Sequence, residues 1–320
     1  MSHGTAIIGL GIMGQRMLGN MRKYAGFDIV CVWDPDPLAC QRVRETYPDI
    51  IVADSASAAI DNPDVSVVYI ASPPRFHAVH AHAAMDAGKA VYCEKPLDVD
   101  DARAAGLVDH AAKAGVVNIV NFSLAAALAT TEIERRIQSG ATGALSGLDI
   151  RLHFSTWPRG WQMDAASWLS YREDGGFARE VLSHWIYLTQ RLLGAPELTH
   201  AATHYPPAPA AETHVTALLE AGGVPVTVAG SVGGAGPDLV EATFWGSDES
   251  LRVFDWNQLY ASNGGEFVRQ LVDVDDPREA GYDHQLQAAS RAIDREASPM
   301  PTFADALAVQ RIIEAILAAA

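Results

Sequence analysis

Disulfide chemistry has almost nothing to work with in this sequence. Its three cysteines, Cys31, Cys40 and Cys93, are odd in number and lack metal-ligand spacing. That argues against a disulfide-framed secreted fold and fits a reducing compartment. Cys31 and Cys93 fall at strand positions, where a thiol packs as a small apolar side chain. Basic residues are also scarce, 23 Lys and Arg against 39 Asp and Glu for a formal charge of -16. The acids are scattered rather than gathered in a tail, so nucleic acid and anionic membrane are disfavoured as partners. Long apolar runs are missing too. The longest, from 115 to 130, is broken by Asn118, Asn121 and Ser123, so no bilayer span is predicted. Neither a basic leader nor a cleavage site precedes the first apolar strand, which predicts a cytoplasmic protein.

The chain has 320 residues, 49% of them hydrophobic and 19% charged, enough for two globular domains. In its first third, short β-branched runs alternate with helix-length segments: "TAIIGL", "FDIVCVW", "IIVA", "VSVVYIA", "AVYCE" and "VVNIVNF". Such alternation means βαβ units and a parallel sheet buried on both faces, a doubly wound α/β fold. The first turn reads Gly9-Leu10-Gly11-Ile12-Met13-Gly14, between a strand and a helical pattern. Alone a GxGxxG is weak; here the context supports a dinucleotide site, because an acid, Asp34, ends the second strand about 20 residues past the last glycine. Gly9 allows a tight turn, Gly11 admits a pyrophosphate to the helix N-terminus, and Gly14 lets the helix close on the strand. A carboxylate at Asp34 accepts hydrogen bonds from the ribose hydroxyls and repels a 2′-phosphate, so NAD is predicted over NADP. Asp34 could instead cap the next helix, a role that Asp36 can also fill.

The fourth strand leads into Ser72-Pro73 and a helix carrying His77, His80 and His82. Only His77 and His80 share a face closely, and no cysteine or suitably spaced carboxylate completes a site, so no metal is predicted. The fifth strand ends in Glu94-Lys95-Pro96. Open parallel sheets bind ligands beyond the carboxyl ends of their strands, which is where Gly9, Asp34, Ser72 and Lys95 are all expected.

With "GLGIMG", "ASPPRFH" at 71–77, "AGKAVYCEKPL" at 87–97 and "GGFAREVLSHW" at 175–185, the sequence resembles the Gfo/Idh/MocA oxidoreductases (glucose-fructose oxidoreductase, inositol dehydrogenase, rhizopine catabolism) over essentially its whole length. The resemblance implies a Rossmann domain over 1–122 and, over 123–320, an α+β domain with a large open, mostly antiparallel sheet that binds substrate and oligomerises. A terminal helix at 302–318 returns towards the first domain in this reading. Cofactor contacts are then expected from Gly9, Gly11, Ile12, Met13, Gly14, Asp34, Ser72, Pro73, His77, Glu94, Lys95 and Asn121. It also implies that Lys95 acts at the reacting oxygen together with His184, which lies four residues after Glu180 and so on one helical face with it. A lysine serves as a base only where burial and a neighbouring positive ring disfavour its charge. Glu94 opposes that, so its carboxylate is expected to pair elsewhere. Relatives usually carry Asp at position 180, often Asp at 187 where this chain has Tyr187, and an arginine near 121–123, where it has Asn121, Phe122 and Ser123. These departures bear on substrate more than on reaction type.

The segment 155–174 looks largely irregular and holds Trp157, Arg159 and Trp161; indoles stack on sugar faces and guanidinium groups capture hydroxyls. Core packing is the competing explanation for any one of these tryptophans. Substrate contacts are expected from Lys95, Asn121, Trp157, Arg159, Trp161, His184 and Tyr187. Beyond 199, alternating runs predict an antiparallel sheet with one covered face, whose other face suits a homodimer or homotetramer. "HYPPAPAAE" at 204–212 reads as an exposed loop, and helices are expected near 278–297 and 302–318. The leading expectation is NAD-linked dehydrogenation of a small polyhydroxylated substrate, a sugar, sugar acid or cyclitol. Reduction of an imine, dihydrodiol or aldehyde, or a non-catalytic NAD sensor, are the alternatives.

Overall fold

The computed structural model describes residues 2–274 and 276–319. They divide into two compact units: one is drawn from the chain up to Phe122 and from Gln285–Leu307, the other from Ser123–His284 and from Ala308 onward.

The first unit is a six-stranded parallel sheet built from β1 (His3–Ile8), β2 (Phe27–Trp33), β3 (Ile51–Val52), β4 (Val67–Ile70), β5 (Ala90–Cys93) and β6 (Asn118–Val120), in the order β3-β2-β1-β4-β5-β6. The crossovers are α1 (Ile12–Met21), α2 (Pro37–Thr46), α3 (Ala56–Ile60), α4 (His77–Asp86) and α5 (Asp101–Ala114). Every residue of β4 is buried, and so are all of β1 but Gly4, as helices on both faces require. The order reverses beside β1, the switch point at which doubly wound sheets open a crevice. Caps follow the sequence: Asp36, not Asp34, accepts the Leu38 N–H at the start of α2, and Asp100 accepts the Arg103 N–H at the start of α5. All three cysteines are free thiols.

The second unit opens with α6 (Leu128–Gln138) and β7 (Leu145–Phe154), then a 3₁₀ segment (Gly160–Ala165) and a short α7 (Ala166–Leu169). A π-helical turn (Ala178–Leu182) runs directly into α8 (Ser183–Leu193). Strands β8 (Pro196–His204), β9 (His214–Ala221), β10 (Val224–Val232), β11 (Leu239–Gly246), β12 (Ser250–Phe254), β13 (Gln258–Ser262) and β14 (Val268–Arg269) complete an eight-stranded sheet ordered β14-β13-β12-β11-β7-β10-β9-β8. All its pairs are antiparallel except β10 with β7. Register sorts the residues by face. Leu219, Val226, Leu148 and Phe244 lie across from one another and are buried, whereas their neighbours Leu218, Thr227, Asp149 and Thr243 line the opposite face, on which Leu218 is half exposed. Ser183 to Thr189 are buried without a break, so α8 is covered on all sides. Phe177 anchors its entry by packing over Gly230, where a Cβ would stand 2.5 Å from the ring.

Helix α9 (Pro277–Ile293) stops short of the expected 297, and α10 spans Phe303–Ala318. Residues Phe303–Leu307 of α10 cluster with the first unit and those from Ala308 with the second. The stretch 204–212 is exposed at His204 and Pro207–Pro209 as expected, but at its end Ala211 and Glu212 are buried. Among the described residues, no helix is long and apolar enough to cross a membrane.

The tightest local constraint lies after β1. A Cβ on Gly14 would fall 1.9 Å from the Gly9 carbonyl oxygen, a backbone atom that cannot move aside cheaply. Gly14→Ala is therefore expected to cost about 1–3 kcal/mol despite its better helix propensity, read as a lower midpoint in urea unfolding.

Candidate functional site

Gly9 sits at φ +98°, and a Cβ there would lie 2.5 Å from the Ala71 carbonyl carbon, so the loops after β1 and β4 are in backbone contact. Gly9 and Gly14 are thus explained by the chain's own packing. Gly11 is not: it is exposed at the N-cap of α1, with φ −70° and nothing within 4 Å of where a Cβ would stand. A glycine with no internal reason at a helix N-terminus is what close approach by a pyrophosphate would demand. Ile12 and Met13 open the helix beside it.

Asp34 follows β2 with Oδ2 accepting the Leu10 N–H at 2.6 Å and Oδ1 the Asp36 N–H at 2.7 Å. The two bonds lock its carboxylate beside the glycine turn and leave each oxygen a second lone pair for a hydroxyl donor. After β4, the buried Ser72 hydroxyl oxygen has no hydrogen-bond partner, and Pro73 leads into a 3₁₀ turn at Pro74–Phe76. An unmet buried hydroxyl, a methyl-free helix N-terminus and a fixed acid fit a dinucleotide with an unphosphorylated ribose. His77 does something else. It is buried between the loops after β5 and β4, with Nδ1 2.9 Å from the Pro96 carbonyl and Nε2 2.8 Å from the Ser72 carbonyl; the neutral ring, with a single N–H, donates to one of the two. Burial holds its pKa below the usual imidazole value, against the pull of the two carbonyls.

The carboxylate of Glu94 turns inward, with Oε1 accepting from the Tyr69 hydroxyl and from Asn121 Nδ2. Asn121 in turn reaches Tyr69 Oη through the same amide nitrogen at 3.3 Å, and its Oδ1 accepts from Tyr92 Oη at 2.6 Å and from Gln285 Nε2. The Asn121 side chain, expected at cofactor and substrate, spends both donors and both lone pairs inside the unit. In the structure the Asn121 side chain holds Glu94. Lys95 follows, half-buried, joined to Pro96 by a cis peptide bond.

In the second unit, His184 is 6% exposed. The Ser123 N–H donates to its Nδ1 at 3.3 Å, so the neutral ring carries its proton on Nε2. The Ser123 hydroxyl lies at the same distance. Trp256, at φ +69° in the tight turn between β12 and β13, packs edge-on against the imidazole at 5.3 Å. Glu180 belongs to the π-helical turn and its Oε1 accepts from Gln162 Nε2 at 3.0 Å; Gln162 Oε1 takes the Arg159 Nε at 2.8 Å. Arg159, Gln162 and Glu180 thus form one chain. Arg159 also lies over the Trp161 ring at 4.8 Å, and Trp161 is 48% exposed. Trp157 is half-buried, with its ring against Phe154 and Phe177, its Nε1–H on the Leu169 carbonyl and the Arg159 guanidinium 5.7 Å from its ring centre. Tyr187 is buried within α8.

Sequence reasoning passes over Ser123, Gln162, Trp256 and Glu212. Ser123 stands out only as the residue found where an arginine is usual, and a Gln eighteen residues from its partner leaves no periodic trace. No group of three or more His, Cys, Asp or Glu among the described residues is arranged to hold a metal. His80 lies edge-on to Trp33, and His82 stacks on His110 at 4.8 Å.

Comparison with known proteins places both units. Residues 4–122 match the description "Oxidoreductase family, NAD-binding Rossmann fold", and residues 130–252 match "GFO/IDH/MocA C-terminal domain". The chain belongs to the GFO/IDH/MocA oxidoreductase family. Among relatives in this family, a 1-carboxy-3-chloro-3,4-dihydroxycyclohexa-1,5-diene dehydrogenase of Comamonas testosteroni is 34% identical over 137 residues, 43% of this chain and 34% of that protein. Levoglucosan dehydrogenase of Pseudarthrobacter phenanthrenivorans is 31% identical over 187 residues, 56% of this chain and 44% of that one. The chain therefore spans between about a third and a half of the length of these curated relatives. In fold, an NAD binding oxidoreductase from Klebsiella pneumoniae superimposes with a TM-score of 0.84 at 21% identity, covering 100% of this chain and 97% of that one.

A methyl group at Gly11 meets no protein atom. Gly11→Ala is expected to leave the unfolding midpoint unchanged while weakening NAD about tenfold or more in a fluorescence titration, the converse of Gly14→Ala.

Proposed function

We propose that this GFO/IDH/MocA protein is an NAD-linked dehydrogenase of a ring hydroxyl in a sugar, sugar acid or cyclitol, with Lys95 as the proton acceptor and His184 acting beside it as a hydrogen-bond donor to the reacting oxygen. The observation that carries the reading is the inward turn of Glu94. Its carboxylate is taken up by Tyr69 and Asn121, so the acid of the Glu94-Lys95-Pro96 strand end serves the scaffold while the lysine follows at the ligand-binding edge of the sheet. The relatives supply the substrate class: levoglucosan dehydrogenase, and the Comamonas enzyme whose named compound is a dihydroxylated six-membered ring.

In this reading NAD, when bound, supplies the hydride acceptor. Gly11, Ile12 and Met13 seat its pyrophosphate at the α1 N-terminus in the turn that Gly9 and Gly14 shape, and Asp34 takes the ribose hydroxyls. Lys95 accepts the substrate's hydroxyl proton as the carbon is oxidised. His184, whose neutral ring carries hydrogen on Nε2, donates to the substrate oxygen and steadies the charge it acquires. Glu180 is held by Gln162 in the turn preceding that histidine. Arg159 and the exposed Trp161 ring bind the polyol, the guanidinium by hydrogen bonds and the indole by stacking. A homodimer or homotetramer through the open face of the second sheet, and a cytoplasmic location in keeping with three free thiols, belong to the same proposal.

A panel of polyols, aldoses and sugar acids with NAD and NADP, followed by nicotinamide absorbance, tests it. Turnover with NAD on at least one ring polyol is expected, and Lys95→Met is expected to lower kcat by about 10²–10⁴ with NAD affinity kept. Full turnover by Lys95→Met would rule out the mechanism. NAD binding with no turnover on any compound would mark a sensor instead.

A further inference from the structure

Glu212 lies in the proline-rich stretch that the sequence marks as exposed, yet it is 2% exposed. Its Oε1 accepts, at 2.7 Å, the N–H of Ala178, the first residue of the π-helical turn that leads into α8. Its Oε2 makes no hydrogen bond. The space for the carboxylate exists only because residue 176 is glycine: at φ +98°, a Cβ there would stand 2.2 Å from Oε2. Two residues far apart in sequence are therefore matched, a glycine that leaves a hole and an acid that fills it, at the start of the segment bearing Glu180 and His184.

We propose that Glu212 is a positioning residue for that segment: its carboxylate holds the Ala178 N–H and so fixes where the Glu180 and His184 side chains emerge. The catalytic part of this rests on the dehydrogenase reading; the capping part does not. An acceptor at a helix start satisfies a donor that has no intrahelical partner, and a negative one is favoured by the helix dipole. The groups facing it come from each neighbouring element. Arg179, on the π-helical turn, forms a two-bond ion pair with Glu314 of α10 at 2.6 and 2.7 Å. Arg179 Nη1 also donates to the Arg172 and Gly175 carbonyls, while Arg172 stacks on Tyr205 at 4.5 Å. Arg179, Glu314 and Tyr205 act on Glu212 electrostatically, and its pKa is pushed up to about 7, mainly by burial, against the pull of the Ala178 N–H, its own N–H and Arg179. As pH rises through that value the carboxyl ionises and its bond to Ala178 becomes charge-assisted.

The full-length protein supports the test. In ¹⁵N-labelled wild type, the Ala178 amide resonance is expected to titrate with a midpoint of about 7 and to stop doing so in Glu212→Gln. The His184 ring resonances should shift in Glu212→Ala and return to their wild-type positions in Glu212→Gln, whose amide oxygen can still accept from Ala178. On a ring polyol, Glu212→Ala is expected to lower kcat about tenfold or more with NAD affinity unchanged, and Glu212→Gln to restore it to within about threefold. An Ala178 amide shift unchanged in Glu212→Ala, or wild-type kcat and His184 shifts in that variant, would overturn the proposal. Should the wild type oxidise no polyol, the dehydrogenase reading fails, and the two resonance measurements still decide the role of Glu212.

Discussion

A carboxylate buried at the carboxyl edge of a sheet must be met by donors or it will not stay there. Glu94 is met by Tyr69 from β4 and by Asn121 from the end of β6, and the same amide is tied to Tyr92 of β5 and Gln285 of α9. Side chains from two strands, two strand ends and a helix distant in sequence therefore share one network. Each member removed would strand another, since an unpaired buried acceptor costs about 1–3 kcal/mol and a charged one more. The geometry of the strand end that presents Lys95 depends on this arrangement, and the buried His77 ring is wedged beside it between the Pro96 and Ser72 carbonyls.

The second unit solves a similar problem by different means. Its helix α8 has no polar face to give to water, so its start must be aimed from outside. Phe177 sets the entry by filling the gap over Gly230, and Glu212 holds the first N–H of the π-helical turn through the gap at Gly176. In both places a missing side chain on one residue is the mould for another. Ser123, the first residue of this unit, then orients His184 from the opposite side of the imidazole to its Nε2 proton.

What the sequence made legible follows from periodicity. The six strands of the first sheet are β-branched runs between helix-length segments, and all six are there in the expected place. The helices closing the chain are likewise recognisable, although α9 ends at Ile293. Strand β8 escapes because its burial does not alternate and its pairing slips between Leu198 and His200; β14 is too short to carry a pattern. The π-helical turn has no sequence signature at all. Glu212 escapes because an acid at the end of a proline-rich stretch looks solvent-facing, and only the fold reveals its buried partner. Trp157 and Trp161 share a residue type and a segment, and three-dimensional packing alone separates the half-buried ring set against Phe154 and Phe177 from the exposed one.

Gln285 gives the first unit a temporal property. It comes from the last eighth of the chain, yet its amide completes the hydrogen bonding of Asn121, and Asn118 likewise accepts the Phe303 N–H while the Val120 N–H donates to the Pro301 carbonyl. On a ribosome emitting this polypeptide, the nucleotide-binding sheet would have all its strands long before it had all its bonds. The first unit can finish folding only after residues 285–303 have been made, so a nascent chain halted anywhere within 123–284 would carry a recognisable but incomplete first unit.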